Sequence, residues 1–520
     1  ALAPYHYHYL LMFFAAQLTR IAGLEVWKSL DVSRALVFSI TILLVSSWVL
    51  RLTRSRAAAF VGALFFSFGM GTRWLLLLLP SPLINWFSGS VTLLGSGANS
   101  GGGLAEALAN PWGVQGVGPV SFPFAFANGI YSPGVLDISG PNSTYPVAMW
   151  IFYLLTFNRW RGWRGALVTG LMTASLALLS EFNLALLLAS WFLILLVYLI
   201  QHKSWHMPAS LWQWFLVFVL GNGLGLLQGG AFTDIFVGWL GKLQGQAANS
   251  YQTVGFALSL DPVIVSSHLG VLSLLHPQQI LLALCEIGPV LLLVPLLAVW
   301  GYKSYRCGRW FEAAFILSGF LSFAAVFLQY TGSAGVRNTS RLYVIIDLCA
   351  LYAVPLTWIW VSHRSERLKW VAGLLAGAIM FGGLVVLSVK LVAIQRPVYS
   401  YFLTALDARM YDKYWNRLEP GSLVFDPEQY RGPTVFGRPM IGFQTWFEST
   451  PQWVDLRNNP NPYKFYAAGF RYVYLDNRYW QEIGSTGQEN MSDTCVSLVD
   501  EISDAEGSFR RLFDLEKCKQ

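Results

Sequence analysis

Apolar residues in this chain come in long uninterrupted blocks, and that pattern constrains its fold more than any motif. Ten blocks lie near residues 34–52, 57–79, 144–158, 165–180, 182–200, 209–228, 279–300, 311–330, 341–361 and 370–391. A run of about 20 apolar residues lets a helix cross the roughly 30 Å hydrocarbon layer of a bilayer. Backbone polar groups in that layer must find partners inside the protein, which a helix provides. Charge agrees with this reading, since only 12% of the 520 residues are charged against about 25% in soluble domains. The blocks predict a polytopic α-helical membrane protein with ten spans.

The net charge of +7 does not point to nucleic acid, because the basic residues gather in short connections between blocks. One set of connections carries Arg51, Arg54 and Arg56; Arg159, Arg161 and Arg164; Lys203; Lys303, Arg306 and Arg309; and Arg364, Arg367 and Lys369. The alternate set includes segment 80–143, which has no Lys or Arg, and segment 229–278, which has only Lys242. Basic loops stay on the cytoplasmic side, so the long loops and everything after about residue 392 are expected outside. Segment 80–143 is rich in Gly, Pro and aromatics, as in Asn110–Pro111–Trp112–Gly113. A disordered linker would be more polar, so this loop is expected to pack as a roof on the membrane surface.

From Gln395–Arg396–Pro397 onward the composition becomes that of a soluble domain. Alternating patterns predict strands at Ser422–Asp426, Arg471–Asp476, Cys495–Val499 and Phe509–Leu515, with a helix or turn at Tyr463–Ala468. A small extracytoplasmic α/β domain over 396–520 is expected. Cys495 and Cys518 are its only cysteines; on an oxidising face they either pair or remain free thiols. Cys285, Cys307 and Cys349 fall in or beside spans and read as packing residues. The chain begins ALAPYHYHYL without an initiator Met, and an outside N-terminus leads to the expectation of a further span upstream.

Two further features carry a resemblance. Tyr5–His6–Tyr7–His8–Tyr9 runs into the apolar stretch Leu10–Gly23, and the tail contains SLVFDP (422–427), TVFGRP (434–439) and AAGFRYVYLD (467–476). In order and placement these resemble the GT-C class of bacterial membrane glycosyltransferases. The resemblance implies an early outer loop with an interfacial helix, many spans, and an outer C-terminal domain in the bacterial plasma membrane. It implies transfer of a sugar from a polyprenyl-phosphate carrier to a glycan, lipid or protein acceptor, with inversion. Membrane lipids and the lipid-linked sugar are the implied partners, nucleic acid is not, and a divalent metal requirement is left open.

In that class the catalytic carboxylate lies in the first outer loop, yet no Asp or Glu precedes Glu25 here. The general base is then expected upstream of Ala1, with Glu106 and Asp137 in the long loop as substitutes. Candidate substrate-binding residues follow from charge and placement. Arg337 and Arg341, with Asn338 between them, lie in the outer turn TGSAGVRNTSR. They suit a lipid phosphate through charge-assisted hydrogen bonds, or else snorkel to headgroups. Arg73, after Gly69–Met70–Gly71–Thr72, reads first as a headgroup anchor and second as a ligand contact. Glu181 and Asn183 lie in a very short outer turn, where an acid is either functional or a helix cap. Tyr5, His6 and His8 either contact sugar or phosphate or form an interfacial aromatic belt. Two histidines without a third ligand do not predict a metal site.

No P-loop, dinucleotide fingerprint, HExxH or GxSxG constellation stands where its chemistry would work. Two other functions fit the topology: a transporter or flippase for a lipid-linked glycan, and a non-catalytic subunit of an envelope assembly. Transporters commonly carry internal repeats and broken helix pairs, and no repeat is visible in this sequence.

Overall fold

A computed structural model describes residues 10–92, 103–113, 121–127, 129–137, 163–176, 178–203, 209–227, single positions between 233 and 244, 256–266, 268–330, 342–394, 403–428, 431–437 and 451–519. The chain divides into two compact units, Ala1–Gln395 and Arg396–Gln520.

The first unit is helical: α1 (Leu10–Ala22), α2 (Val26–Thr53), α3 (Arg56–Phe68), α4 (Trp163–Leu176), α5 (Glu181–His202), α6 (Ala209–Leu227), α7 (Pro277–Ile287), α8 (Val294–Arg306), α9 (Trp310–Ser322), α10 (Tyr343–Val361) and α11 (Glu366–Ile394), with shorter pieces between. Among the described residues five helices are long and apolar enough to cross a membrane, and a bent pair makes a sixth. Their uncovered faces are apolar: Leu36, Ile40 and Leu43 on α2 and Trp370, Leu374 and Leu384 on α11 are exposed. In water such a surface would be costly; in lipid it is the solvated face. This is a membrane protein.

Local chemistry sets the helix ends. Arg54 adopts φ 55° and stops α2, and the Ser55 side chain accepts from the Ala58 amide to cap α3. Hydroxyls within α2 return to their own helix, Ser33 to the Ser29 carbonyl and Thr41 to Val37, so they add no unpaired group in lipid. Glycines allow close crossings: a Cβ on Gly221 of α6 would lie 2.8 Å from the Thr173 methyl of α4.

The structure corrects the expected spans in three places. Block 57–79 is not one helix: α3 ends at Phe68, an extended break follows, and Arg73–Leu78 is a 3-10 turn. Block 279–300 is bent by 95° between α7 and the helix that follows Pro289. Among the described residues block 165–180 forms the 14-residue α4, about 21 Å at 1.5 Å per residue. Block 311–330 holds as the candidate span Trp310–Phe327, whose last turn is 3-10, and only its end, Leu328–Tyr330, is a strand, paired with Phe256–Leu258. Block 144–158 lies outside the described residues.

The second unit is a four-stranded sheet with helices on both faces. Its strands are β1 (Leu423–Phe425), β2 (Phe470–Asp476), β3 (Ser497–Ser503) and β4 (Phe509–Asp514), in the order β1-β2-β4-β3. β1 and β2 are parallel; the other pairs are antiparallel. One core packs Phe425, Phe465, Val473 and Leu475, and the other packs Met410, Val435, Tyr474 and Leu512. α12 (Ala405–Tyr414) opens with a reciprocal capping box between Thr404 and Asp407. Cys495 and Cys518 form a disulfide beside the first core. β3 starts at Ser497 rather than Cys495 and runs on to Ser503, because the disulfide holds Cys495 in the preceding turn.

Candidate functional site

The break after α3 is where several elements of the first unit meet. Leaving the helix frees backbone amides, and in lipid each must be satisfied by protein. Met70 donates to the Ile379 carbonyl on α11 (3.2 Å), Gly71 to Tyr131 (3.0 Å) and Thr72 to Cys285 on α7 (2.8 Å). Three distant segments therefore take over the hydrogen bonding that a continuous helix would supply. Glycines make the approach feasible: a Cβ on Gly71 would overlap the Glu286 carbonyl oxygen, and one on Gly383 would overlap that of Phe68. Gly288, φ 92°, turns the chain out of α7 against Met70 and Gly71.

Two helix C-termini, those of α3 and α7, converge at this junction, and each concentrates negative partial charge. Glu286 adds a full carboxylate and is completely buried. Arg73, 2% exposed, supplies the compensating cation. Its Nη1 donates to Glu286 Oε1 at 2.5 Å, and its Nη2 donates to the carbonyls of Ala127 (2.6 Å) and Phe124 (3.3 Å). The guanidinium also stands over the Phe124 ring, 4.6 Å from its centroid. Arg73 Nε and Glu286 Oε2 have no partner. Oε2 packs against Gly129, where a Cβ would lie 2.7 Å away.

The opposite face of α7 is apolar. Ile280, Ala283, Leu284 and Ile287 line a cavity of about 120 Å³ together with Leu342 and Ile345 at the start of α10. A second buried acid, Glu312, behaves differently from Glu286. It accepts from Trp300 Nε1 (2.7 Å) and the Tyr352 hydroxyl (2.9 Å) and pairs with Arg309 (2.9 Å), so both oxygens are engaged and it acts as a structural pin.

The second unit has its own buried charge network. At the carboxyl ends of the parallel strands, Arg431 grips Asp426 through Nε (3.0 Å) and Nη2 (2.8 Å) and reaches Asp476 through Nη1 (2.5 Å). Arg510 grips Asp407 the same way, and Asp407 also accepts from the Tyr474 hydroxyl (2.6 Å). Burial pushes the Asp426 carboxyl up to about 6 although Arg431 pulls it down. Burial also raises Asp407, but the Arg510 hydrogen bond and the neighbouring arginine charges outweigh it and leave its pKa below the usual value. Asp476 is likewise lowered, burial being outweighed by Arg431 and the Tyr479 amide.

The sequence-predicted residues that the structure describes lie on separate elements. Arg73 is not a headgroup anchor: it is buried and ion-paired, because the break aims it inward at Glu286. Ser180 supplies the hydrogen-bonding cap of α5, its side chain accepting from the Asn183 amide, and Glu181 is the first residue of α5, at the end where the helix dipole favours negative charge. Asn183 is 2% exposed and neither end of its side-chain amide has a partner. The Ser180 and Tyr343 hydroxyls hydrogen-bond at 3.1 Å, which brings this turn to the start of α10. Glu106 is exposed on the helix Leu104–Ala109, and Asp137 ends the short helix Gly134–Asp137. Tyr5, His6, His8, Arg337, Asn338 and Arg341 lie outside the described residues. Among the described residues no group of three His, Cys, Asp or Glu is placed to hold a metal.

Sequence reasoning missed Glu286. Its signal was an acid inside the apolar run LLALCEIGPVLLL, which at membrane depth marks a functional residue by default. No protein-family profile matches this chain, and no curated protein matches it in sequence.

Proposed function

We propose that this chain is a membrane glycosyltransferase that takes a sugar from a polyprenyl-phosphate carrier and moves it to an acceptor on the outer face of the bacterial plasma membrane. The observation that carries this reading is that part of the long loop is a built element. Phe124 and Ala127 are held by a buried arginine, and Asn110 accepts from the Phe124 amide at 2.9 Å. A folded roof of this kind suits chemistry at the membrane surface, with water excluded from a reacting lipid phosphate. The disulfide between Cys495 and Cys518 supports an oxidising compartment for the tail, and the basic loops support the same orientation. The apolar cavity reaches Leu342, the residue after Arg341. Arg337 and Arg341 are proposed to hold the donor phosphate beside an apolar slot for its lipid.

The test is binding of a short-chain polyprenyl-phosphate sugar to the purified protein. Arg337→Ala or Arg341→Ala should weaken binding about ten- to a hundredfold, the value of a lost hydrogen bond to a charged group, while the melting temperature holds. Unchanged binding in both variants removes these residues from the site.

A transporter of lipid-linked glycans is the second reading, favoured by the two interrupted helices whose carbonyl ends converge at Arg73 and Glu286. Proteoliposomes separate the two: movement of a labelled lipid-linked glycan across the bilayer without change in its sugar would establish transport.

A further inference from the structure

We infer that Arg73 Nη2 is contested between the Phe122–Ala127 strap and Glu286, so that the strap is held by an exchangeable latch. A guanidinium can grip a carboxylate with two parallel hydrogen bonds through Nη1 and Nη2 or through Nε and Nη2; both arrangements require Nη2. The second unit shows the fully closed form twice, where Arg431 and Arg510 each use Nε and Nη2 on one aspartate. Arg73 does not close in this way. Its Nη2 is spent on the carbonyls of Phe124 and Ala127, its Nε is idle, and Glu286 Oε2 is left unpaired in a fully buried position.

Release of the strap has a built-in compensation. When the two carbonyls leave, Nη2 becomes available to Oε2 and the single contact becomes bidentate. The strap-bound state carries one unpaired carboxylate oxygen, and the strap-released state carries none at that position. A pair with all its valences satisfied would lock the strap; this one lets it open. The device does not depend on whether the protein transfers or transports its substrate, because it follows from the geometry of the pair alone.

The experiment uses the full chain in detergent or nanodiscs, with Cys285, Cys307 and Cys349 replaced by alanine and Ala125, 1% exposed, replaced by cysteine. The rate of reaction with a soluble maleimide reports strap opening. Arg73→Lys loses the second terminal nitrogen, which holds both strap carbonyls while the first holds Glu286, and labelling should accelerate about tenfold or more. Glu286→Gln keeps one acceptor oxygen and the side-chain shape but puts an NH2 donor in place of the second oxygen, so the parallel two-oxygen grip cannot form, the released state loses its compensation and labelling should slow by about threefold or more. A pair that merely pins the structure would weaken in both variants, and labelling would rise in both. A Glu286→Gln rate that rises or stays equal to the parent overturns the latch. Gly129→Ala, which crowds both Oε2 (2.7 Å) and the Glu286 main-chain carbonyl oxygen (2.8 Å) without altering either charge, should also accelerate labelling; a parent-like rate there counts against the strap-bound geometry.

Discussion

The hydroxyls of Ser180 and Tyr343 lie 3.1 Å apart, which joins the turn before α5 to the first residue of α10. Two hydroxyls 163 positions apart in sequence are thereby set side by side, one in the turn that precedes the buried Asn183 and the other at the start of α10.

Asn183 gives the first prediction. An amide buried without partners costs about 1–3 kcal/mol for each unsatisfied group. Asn183→Leu should therefore raise the melting temperature, and if the amide serves the substrate it should at the same time reduce donor binding. A variant that melts lower than the parent would mean that the amide is satisfied within the fold.

The glycines of α11 give the second. A Cβ on Gly383 meets the Phe68 backbone, whereas nothing lies within 4 Å of one on Gly373 or Gly377. Gly377→Ala should be neutral or stabilising by about 0.5–1 kcal/mol through helix propensity. Gly383→Ala should destabilise by more than about 1 kcal/mol, because backbone and not a side chain has to move. Equal melting temperatures for the two variants would show that the break does not seat against α11.

The third concerns pH and the C-terminal domain. Asp407 and Asp476 have lowered pKa values, so their contribution is present above the unfolded value of about 4 and is lost as pH falls through their folded values. Asp426 has the opposite sign. Its folded pKa is raised to about 6 from 3.8, so the folded state holds a proton that the unfolded state has released. Stability should then decline as pH rises from about 4 to about 6, by up to roughly 1.4 kcal/mol per unit. Denaturant melts of residues 396–520 across pH 4–7 should show a maximum near pH 4, and Asp426→Asn should flatten the decline even though it lowers stability throughout. An unchanged slope in that variant would assign the decline to another group.

Orientation is the fourth. Native Cys307 is exposed in the turn between α8 and α9, beside Arg306 and Arg309. In intact cells it should be shielded from an impermeant thiol reagent, while a cysteine replacing the exposed Glu506 should react. The reverse pattern would invert the topology.

The hydropathy of the chain by itself determined that helices cross a membrane, and α2, α5, α10 and α11 fall inside the blocks 34–52, 182–200, 341–361 and 370–391 or extend them by a few turns. Transfer free energy is a local sum over about 20 residues, so any apolar block of that length reveals it. Strand periodicity was legible for the same local reason: Phe470–Asp476 and Phe509–Asp514 differ from their expected limits by one residue. Only the tertiary structure decided where apolar blocks stop being helices. Gly69–Thr72 and Gly288 lie in runs as apolar as their neighbours; the first leaves the helix because the Ile379, Tyr131 and Cys285 carbonyls accept the amides of Met70, Gly71 and Thr72, and the second because Gly288 turns to φ 92° against that break. Those acceptors lie tens to hundreds of residues away, beyond the reach of any window. Arg73 shows the same limit: as sequence it is a cation near a membrane surface, and its partner, 213 residues along the chain, becomes its neighbour only when both breaks form and fold the two helix ends together.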